Sequence, residues 1–290
     1  MIGEKIVERY LVRDRLGAGS MGEVYRAYDE RLHCDVALKF LPDSQRFDER
    51  ARARLLREAR ALARINHPNI CNVRDFIDHL GTDVLVMEFV SGVTLAQRLA
   101  EGPLDEGEVV RLGTQLAEGL SAAHQAAVLH RDLNPRNLAL TEDGRLKILD
   151  FGLAKMMAGT DESSLPLSTT DSLTLMGTLP YIAPELLRGG SLTPRSDLFS
   201  AGCVLYEMAT SRRAFPQEDA IKLWHALLNL DPVSPREIRP RLSSRLEQVI
   251  VRCLVKDPAQ RYGTMQELVQ GLSRVKRWGF LPVGPPRLRR

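Results

Sequence analysis

The chain has 290 residues, 44% of them hydrophobic and 27% charged, which suits one large domain or two lobes around a cleft and gives no sign of disorder throughout or of a collagen-like chain. Its formal net charge of +3, from 40 Lys and Arg against 37 Asp and Glu, is too small and too evenly spread to indicate nucleic acid as a partner. The four cysteines (Cys34, Cys71, Cys203 and Cys253) are widely separated, which argues against a disulfide scaffold or a CxxC metal site and fits a reducing, cytoplasmic compartment.

The start of the chain, Met1-Ile2-Gly3-Glu4-Lys5, has no apolar signal core, and no stretch approaches the roughly 20 apolar residues of a membrane span, so no membrane segment is expected. Strands are predicted over Tyr10 to Leu16 and Glu23 to Tyr28, joined by a glycine-rich turn, and over Cys34 to Leu41. Apolar spacing through Leu55, Leu56, Ala59, Leu62 and Ala63 predicts a helix from Arg46 to Ile65, stopped by Pro68. Two more strands follow, Val73 to Asp78 and Val84 to Val90.

From Thr94 the pattern turns mostly helical. Thr94 with Gln97, and Asp105 with Glu108, have the spacing of capping boxes, the second ahead of a long helix running to Ala127. Leu138 to Leu140 and Leu146 to Leu149 read as a hairpin turning at Asp143-Gly144. Met156 to Met176, rich in Ser, Thr and Asp, reads as a long loop. Helical patterns recur at Arg195 to Thr210, Glu218 to Leu230, Arg245 to Leu254 and Thr264 to Lys276, before a Pro- and Arg-rich tail. The expected class is α+β: a small β-rich lobe, then a larger helical lobe, the boundary falling near Met87 to Gly92.

Several motifs carry chemistry. Gly17-Ala18-Gly19-Ser20-Met21-Gly22 lets backbone approach phosphate groups closely, although such a segment alone is also an ordinary hairpin turn. A strand follows it, whereas the dinucleotide-binding fingerprint opens a helix. In Val36-Ala37-Leu38-Lys39 the lysine is either the solvent-facing member of an alternating strand or a cation for phosphates, with Glu58 the candidate carboxylate to orient it. In His130-Arg131-Asp132-Leu133-Asn134-Pro135-Arg136-Asn137, Asp132 can orient a hydroxyl and take its proton, and the Asn137 amide oxygen can hold a metal. Asp150, in Asp150-Phe151-Gly152, supplies a second hard oxygen ligand of the kind Mg2+ prefers. Gly177-Thr178 to Ala183-Pro184-Glu185, Asp197 and Arg261 complete the series.

With these motifs in this order, the chain resembles the protein kinase family, specifically the eukaryotic-like serine/threonine kinases of bacteria, over Tyr10 to Arg274. The resemblance implies a two-lobed fold: a small antiparallel sheet with one main helix, and a larger, mostly helical lobe. It divides the chain into an ATP-binding lobe (1–90), a catalytic and substrate-binding lobe (91–276) and a tail (277–290). ATP and Mg2+ are the implied cofactors, and proteins with Ser or Thr acceptors the implied substrates; Thr178 favours Ser/Thr over Tyr.

By the same resemblance, Leu16, Gly17, Gly19, Gly22 and Val24 would cover the nucleotide and Lys39 would hold its phosphates while paired with Glu58. Ala37 and Val24 would roof the adenine, Ala139 would lie beneath it, Met87 would guard the back, and Glu88 and Val90 would offer backbone hydrogen bonds. Asp132 would orient the acceptor hydroxyl, with Asn137 and Asp150 on Mg2+. Glu185 and Arg261 would form a buried ion pair, and Asp197 would brace the catalytic loop.

Two departures stand out. Asn134 occupies the place where the family has a lysine against the γ-phosphate, an absence expected to slow transfer by roughly two or three decades. Arg136 offers a partial replacement for that cation. Ala139 is smaller than the usual floor residue, implying looser nucleotide binding. Asn134 supports one alternative function, a nucleotide-binding pseudokinase scaffold. The Arg131-Asp132 pair implies regulation by phosphorylation of the loop, with Arg131 and Lys155 as phosphate partners. Of the loop's candidates, Ser163, Ser164, Ser168, Thr169, Thr170, Ser172 and Thr174, the expected site is Thr170, Ser172 or Thr174, modified through transient self-association.

Overall fold

The computed structural model describes residues 1–19, 22–41, 49–152 and 179–278. Strands β1 (Lys5–Ile6), β2 (Tyr10–Gly19), β3 (Gly22–Asp29), β4 (Cys34–Phe40), β5 (Val73–His79) and β6 (Thr82–Glu88) form one antiparallel sheet in the order β1-β2-β3-β4-β6-β5. The period of two in β4 sorts its side chains onto two faces. Val36, Leu38 and Phe40 join Tyr10, Val12, Tyr25, Val84 and Val86 in an outer apolar cluster. Ala37 and Leu41 belong instead to the main core, which also holds Leu55, Ala59 and Leu62 of helix α1 (Glu49–Ala63). Lys39 shares the inner face and is only 3% exposed, so it is not the solvent-facing member of the alternation.

The glycine-rich segment is more regular than its composition predicts. Strand pairing continues to Gly19↔Gly22, with register shifts between Val12 and Asp14 and between Arg15 and Gly17 that bend the hairpin. Gly22 has a positive φ of 109°, and a Cβ there would sit 1.9 Å from the Phe40 carbonyl oxygen. Its glycine is therefore demanded by packing on β4.

A second, three-stranded sheet, β7 (Gly92–Thr94), β8 (Leu138–Thr141) and β9 (Leu146–Ile148), lies below the first. The chain leaving α1 docks on it: Cys71 N donates to the Ile148 carbonyl and Ile148 N to the Asn69 carbonyl, each at 2.8 Å. The helices are α2 (Leu95–Ala100), α3 (Glu106–Gln125), α4 (Pro184–Leu187), α5 (Pro194–Thr210), α6 (Ala220–Asn229), α7 (Pro235–Ile238), α8 (Ser244–Cys253) and α9 (Met265–Trp278). Thr94 and Gln97 cap α2 reciprocally, as their spacing predicts. At α3 only half of the expected box forms. Asp105 accepts from Glu108 N at 2.8 Å, while the Glu108 carboxylate turns to Arg98 and Arg111, each at 3.8 Å.

Helix α5 is buried nearly all round and packs on α3 and α8. Gly202 makes the α8 contact possible, since a Cβ there would lie 2.5 Å from the Cys253 Cβ. The four cysteines are unpaired, three of them buried. Burial pushes the Cys71 and Cys253 thiols up to about 12, so they behave as small core residues. Among the described residues no helix is long and apolar enough to cross a membrane.

Candidate active site

The loop between α3 and β8 is fixed from beneath by α5. Asp197, in the first turn of α5, accepts from His130 N (2.9 Å), Arg131 N (3.2 Å) and the His124 ring (2.8 Å). Burial pushes the Asp197 carboxyl up, but the His124 hydrogen bond, the nearby imidazoles and the His130 amide outweigh it and leave the group below its ordinary value. Those bonds hold Arg131 in a left-handed conformation, φ 67°, that a non-glycine residue adopts only under constraint.

Asp132 follows, 5% exposed, with its amide 2.8 Å from the His130 carbonyl. The Asn137 amide nitrogen donates to both the Asp132 carbonyl (2.8 Å) and Asp132 Oδ2 (3.1 Å). The Asn137 amide oxygen is thereby left as an acceptor. Leu149 N bonds the Asn137 carbonyl at 2.9 Å, which brings Asp150 beside the same loop. Gly152 N donates to the His130 carbonyl at 2.9 Å, and a Cβ on Gly152 would meet that oxygen at 3.2 Å. The Phe151 ring lies 4.8 Å from the His130 ring. One amide oxygen and one carboxylate, both hard, fit Mg2+ bound by few protein ligands. Larger clusters of His, Cys, Asp and Glu suited to a metal do not occur among the described residues.

The expected Lys39–Glu58 pair does not form. Lys39 Nζ lies 2.5 Å from Asp150 Oδ2. Glu58 instead accepts from both terminal guanidinium nitrogens of Arg131, Nη2 at 2.5 Å and Nη1 at 3.1 Å. The physical reason is competition. A planar fork offers a carboxylate two parallel charge-assisted bonds where an ammonium offers one point contact. The expectation that Arg131 awaits a loop phosphate falls on residues 153–178, outside the described residues; in the structure Arg131 is engaged by Glu58.

Asn134 is 5% exposed, and its amide turns into the loop: Nδ2 donates to the Asp132 carbonyl (2.9 Å) and Oδ1 accepts from Arg136 N (3.0 Å). It caps the 3-10 turn Pro135–Asn137. Arg136 is exposed, and its charge reaches Glu207 on α5.

The sheet register places Ala37 opposite Met87 and Val24 opposite Lys39, so these residues share one region. Met87 and Ala37 are both 8% exposed, and Val24 and Val90 pack on the main core. Beyond its chain neighbours, no heavy atom lies within 4 Å of a Cβ built on Gly17, and Leu16 is exposed, so β2 is open on that side at Gly17. Ala139 is buried on β8, in register with Lys147, which pairs with Glu88 at 2.8 Å. The Glu88 carbonyl accepts from Cys71 Sγ at 3.3 Å and keeps a second lone pair.

Sequence reasoning missed the Lys147–Glu88 tie and the bond from Tyr181 Oη to Glu207 Oε2 (2.6 Å). The only available signal was a charge at an otherwise apolar position, Lys147 in β9 and Glu207 in α5. The Glu185–Arg261 pair forms with two contacts, 2.7 and 2.9 Å, and Arg261 is buried.

Residues 10–271 match the family model for the protein kinase domain. The chain is 40% identical over 268 residues to the serine/threonine-protein kinase pkn3 of Myxococcus xanthus, covering 90% of this chain and 48% of that protein. It is 35% identical over 274 residues to the serine/threonine-protein kinase PknB of Mycobacterium tuberculosis, covering 92% and 43%. It thus spans about half the length, or less, of these relatives. Among solved structures, the kinase domain of Mycobacterium tuberculosis PknI superposes with a TM-score of 0.73 at 29% identity, covering 94% of this chain and 98% of that one.

Proposed function

We propose that this chain, which belongs to the protein kinase family and has its two-lobed fold, transfers the γ-phosphate of Mg-bound ATP to Ser and Thr hydroxyls of proteins. The observation that carries the reading is the joining of Asp132, Asn137 and Asp150 through the Asn137 side chain and the Asn137–Leu149 backbone bond.

In this reading Asp132 orients the acceptor hydroxyl and takes its proton, while Asn137 restrains the Asp132 carboxylate. Asn137 and Asp150 hold Mg2+, which when bound offsets phosphate charge. Gly17 and Gly19 bring backbone close to the phosphates, aided by Lys39. Val24, Ala37, Met87 and Ala139 enclose the base, with Glu88 and Val90 offering backbone bonds. Lys39 must leave Asp150, or share it, when nucleotide and metal enter, and Glu58 becomes available to Lys39 only on leaving Arg131. Phosphorylation of the Ser- and Thr-rich loop by a second copy would supply Arg131 with a competing anion.

A second reading, a nucleotide-binding scaffold with little turnover, draws on Asn134, whose amide is spent on the loop and supplies no charge. Incubation with Mg-ATP and casein, beside an Asp132→Asn control, separates the two. Phosphate on Ser or Thr that disappears in the control supports the kinase. No incorporation in either, with nucleotide still bound, supports the scaffold.

A further inference from the structure

Two arginines whose charges act on Glu207, Arg136 in the catalytic loop and Arg213, take no part in the proposed chemistry. Arg136 is held by its backbone: its amide bonds Asn134 Oδ1 at 3.0 Å, and the next residue, Asn137, contacts Asp132. Its side chain is exposed. Arg213, just beyond the C-terminus of α5, is exposed as well. Both guanidinium charges act on Glu207, and that of Arg213 also acts on Tyr181.

Glu207 does not satisfy them. Its carboxylate is taken by the Tyr181 hydroxyl at 2.6 Å, and neither arginine forms an ion pair with it. Burial raises the Glu207 carboxyl above its ordinary value even against the Tyr181 bond and both arginine charges. Among the described residues, two cations therefore act on one mostly buried acid, a local excess of positive charge. The same Tyr181 lines a small pocket with Asp132, Ile182, Ala183, Leu186 and Leu192, which links the Tyr181–Glu207 pair to the residue read as the acceptor site. An exposed guanidinium keeps its fork free for a carboxylate or phosphate from outside.

We propose that Arg136 and Arg213 form an anion-recognising arm of the peptide-binding face, selecting substrates with an Asp, Glu or phosphorylated residue near the acceptor hydroxyl. This rests on the reading of Asp132 as the acceptor site. It gives Arg136 a part in holding substrate, in place of the phosphate-steadying part suggested by its position in the sequence. The structural alternative is that both arginines only offset the Glu207 charge.

The test uses fluorescein-labelled peptides with one Ser, flanked at successive positions by Ala, Glu, phosphoserine or Arg. They are assayed both for binding by anisotropy and for phosphate transfer, with the wild type, Arg136→Gln, Arg213→Gln and Arg136→Glu. In the wild type, Glu peptides should bind and react about five- to tenfold better than Ala peptides, through KM. The advantage should shrink in the Gln variants and with added salt, and Arg136→Glu should favour the Arg peptides. A phosphoserine peptide outranking the Glu peptide would identify phosphate as the anion; the reverse order would identify carboxylate.

An acidic-to-neutral ratio that is the same in the wild type and the Gln variants overturns the proposal, as does a wild-type preference for Arg peptides. The ratio is taken within each variant, so a general loss of activity does not alter it. Without transfer to any peptide the kinase reading fails, and the anisotropy ratios still decide this proposal.

Discussion

Lys39 and Asp150 form a 2.5 Å ion pair that ties β4 to the residue two places beyond β9. The two ends are unequal: the Lys39 side chain is 4% exposed and that of Asp150 is 23% exposed. Removing the carboxylate strands an ammonium in the inner core, whereas removing the ammonium leaves a carboxylate that water can reach. Asp150→Asn should therefore lower stability by about 2 kcal/mol, below the roughly 3–5 kcal/mol of fully buried pairs, and Lys39→Met by less. Urea unfolding of the nucleotide-free protein measures both. Equal losses would show that the pair is not what determines stability there.

Glu58 and Arg131, each about one-fifth exposed on their side chains, should show energetic coupling in the same nucleotide-free protein. A double-mutant cycle with Glu58→Gln and Arg131→Gln should return about 1 kcal/mol, the scale of a well-formed two-point pair still reached by solvent. A parallel cycle of Glu58→Gln with Lys39→Met should return close to none. Coupling in the second cycle and none in the first would contradict the arrangement described here.

These two pairs mark the limit of what could be read from the sequence. The strands, the helices and the places of Lys39, Glu58, Asp132, Asn137 and Asp150 were legible because periodicity and motif spacing are local. The choice of partner was not. Lys39 and Arg131 both come within reach of a carboxylate only after the sheet and the catalytic loop have docked, and fork geometry then decides which one Glu58 takes. Gly22 makes the same point from the backbone: its spacing suggested a phosphate contact, yet the Phe40 carbonyl is what requires the glycine. Asn134 was legible as a departure, but its inward turn was not, because the sequence does not show that the Asp132 carbonyl and Arg136 amide need a partner.

Asn134 is expected to stabilise the loop even though it brings no charge to transfer. Asn134→Ala removes the acceptor for Arg136 N and the donor to the Asp132 carbonyl, and should lower stability by about 1 kcal/mol, the usual loss at a cap. Asn134→Lys should lose similar stability while raising the single-turnover transfer rate by roughly one or two decades, since a cation is restored near the phosphate. Thermal unfolding and rapid-quench kinetics give the two quantities separately. A lysine variant that is destabilised and no faster would mean that this position does not reach the transferred group.

Lys256 gives the fold a pH dependence apart from the site. Its ammonium donates to the Ala226 carbonyl at 3.2 Å and lies 4.1 Å from the Phe215 ring centre. Burial is the main cause lowering its pKa to about 8, against an ordinary 10.5. Between those values the unfolded chain holds a proton that the native protein lacks, so unfolding takes one up and stability rises with pH. Below about pH 8 both states are protonated and the contribution is flat. Tyr206 and Tyr262, raised by burial, act in the opposite sense near and above pH 10, so the wild type must be compared with Lys256→Met. The wild type should gain on the order of 1 kcal/mol relative to the variant from about pH 8 to about pH 10, after discounting for the water that still reaches the side chain. Parallel stability curves for the two proteins would show that Lys256 titrates as a lysine in water.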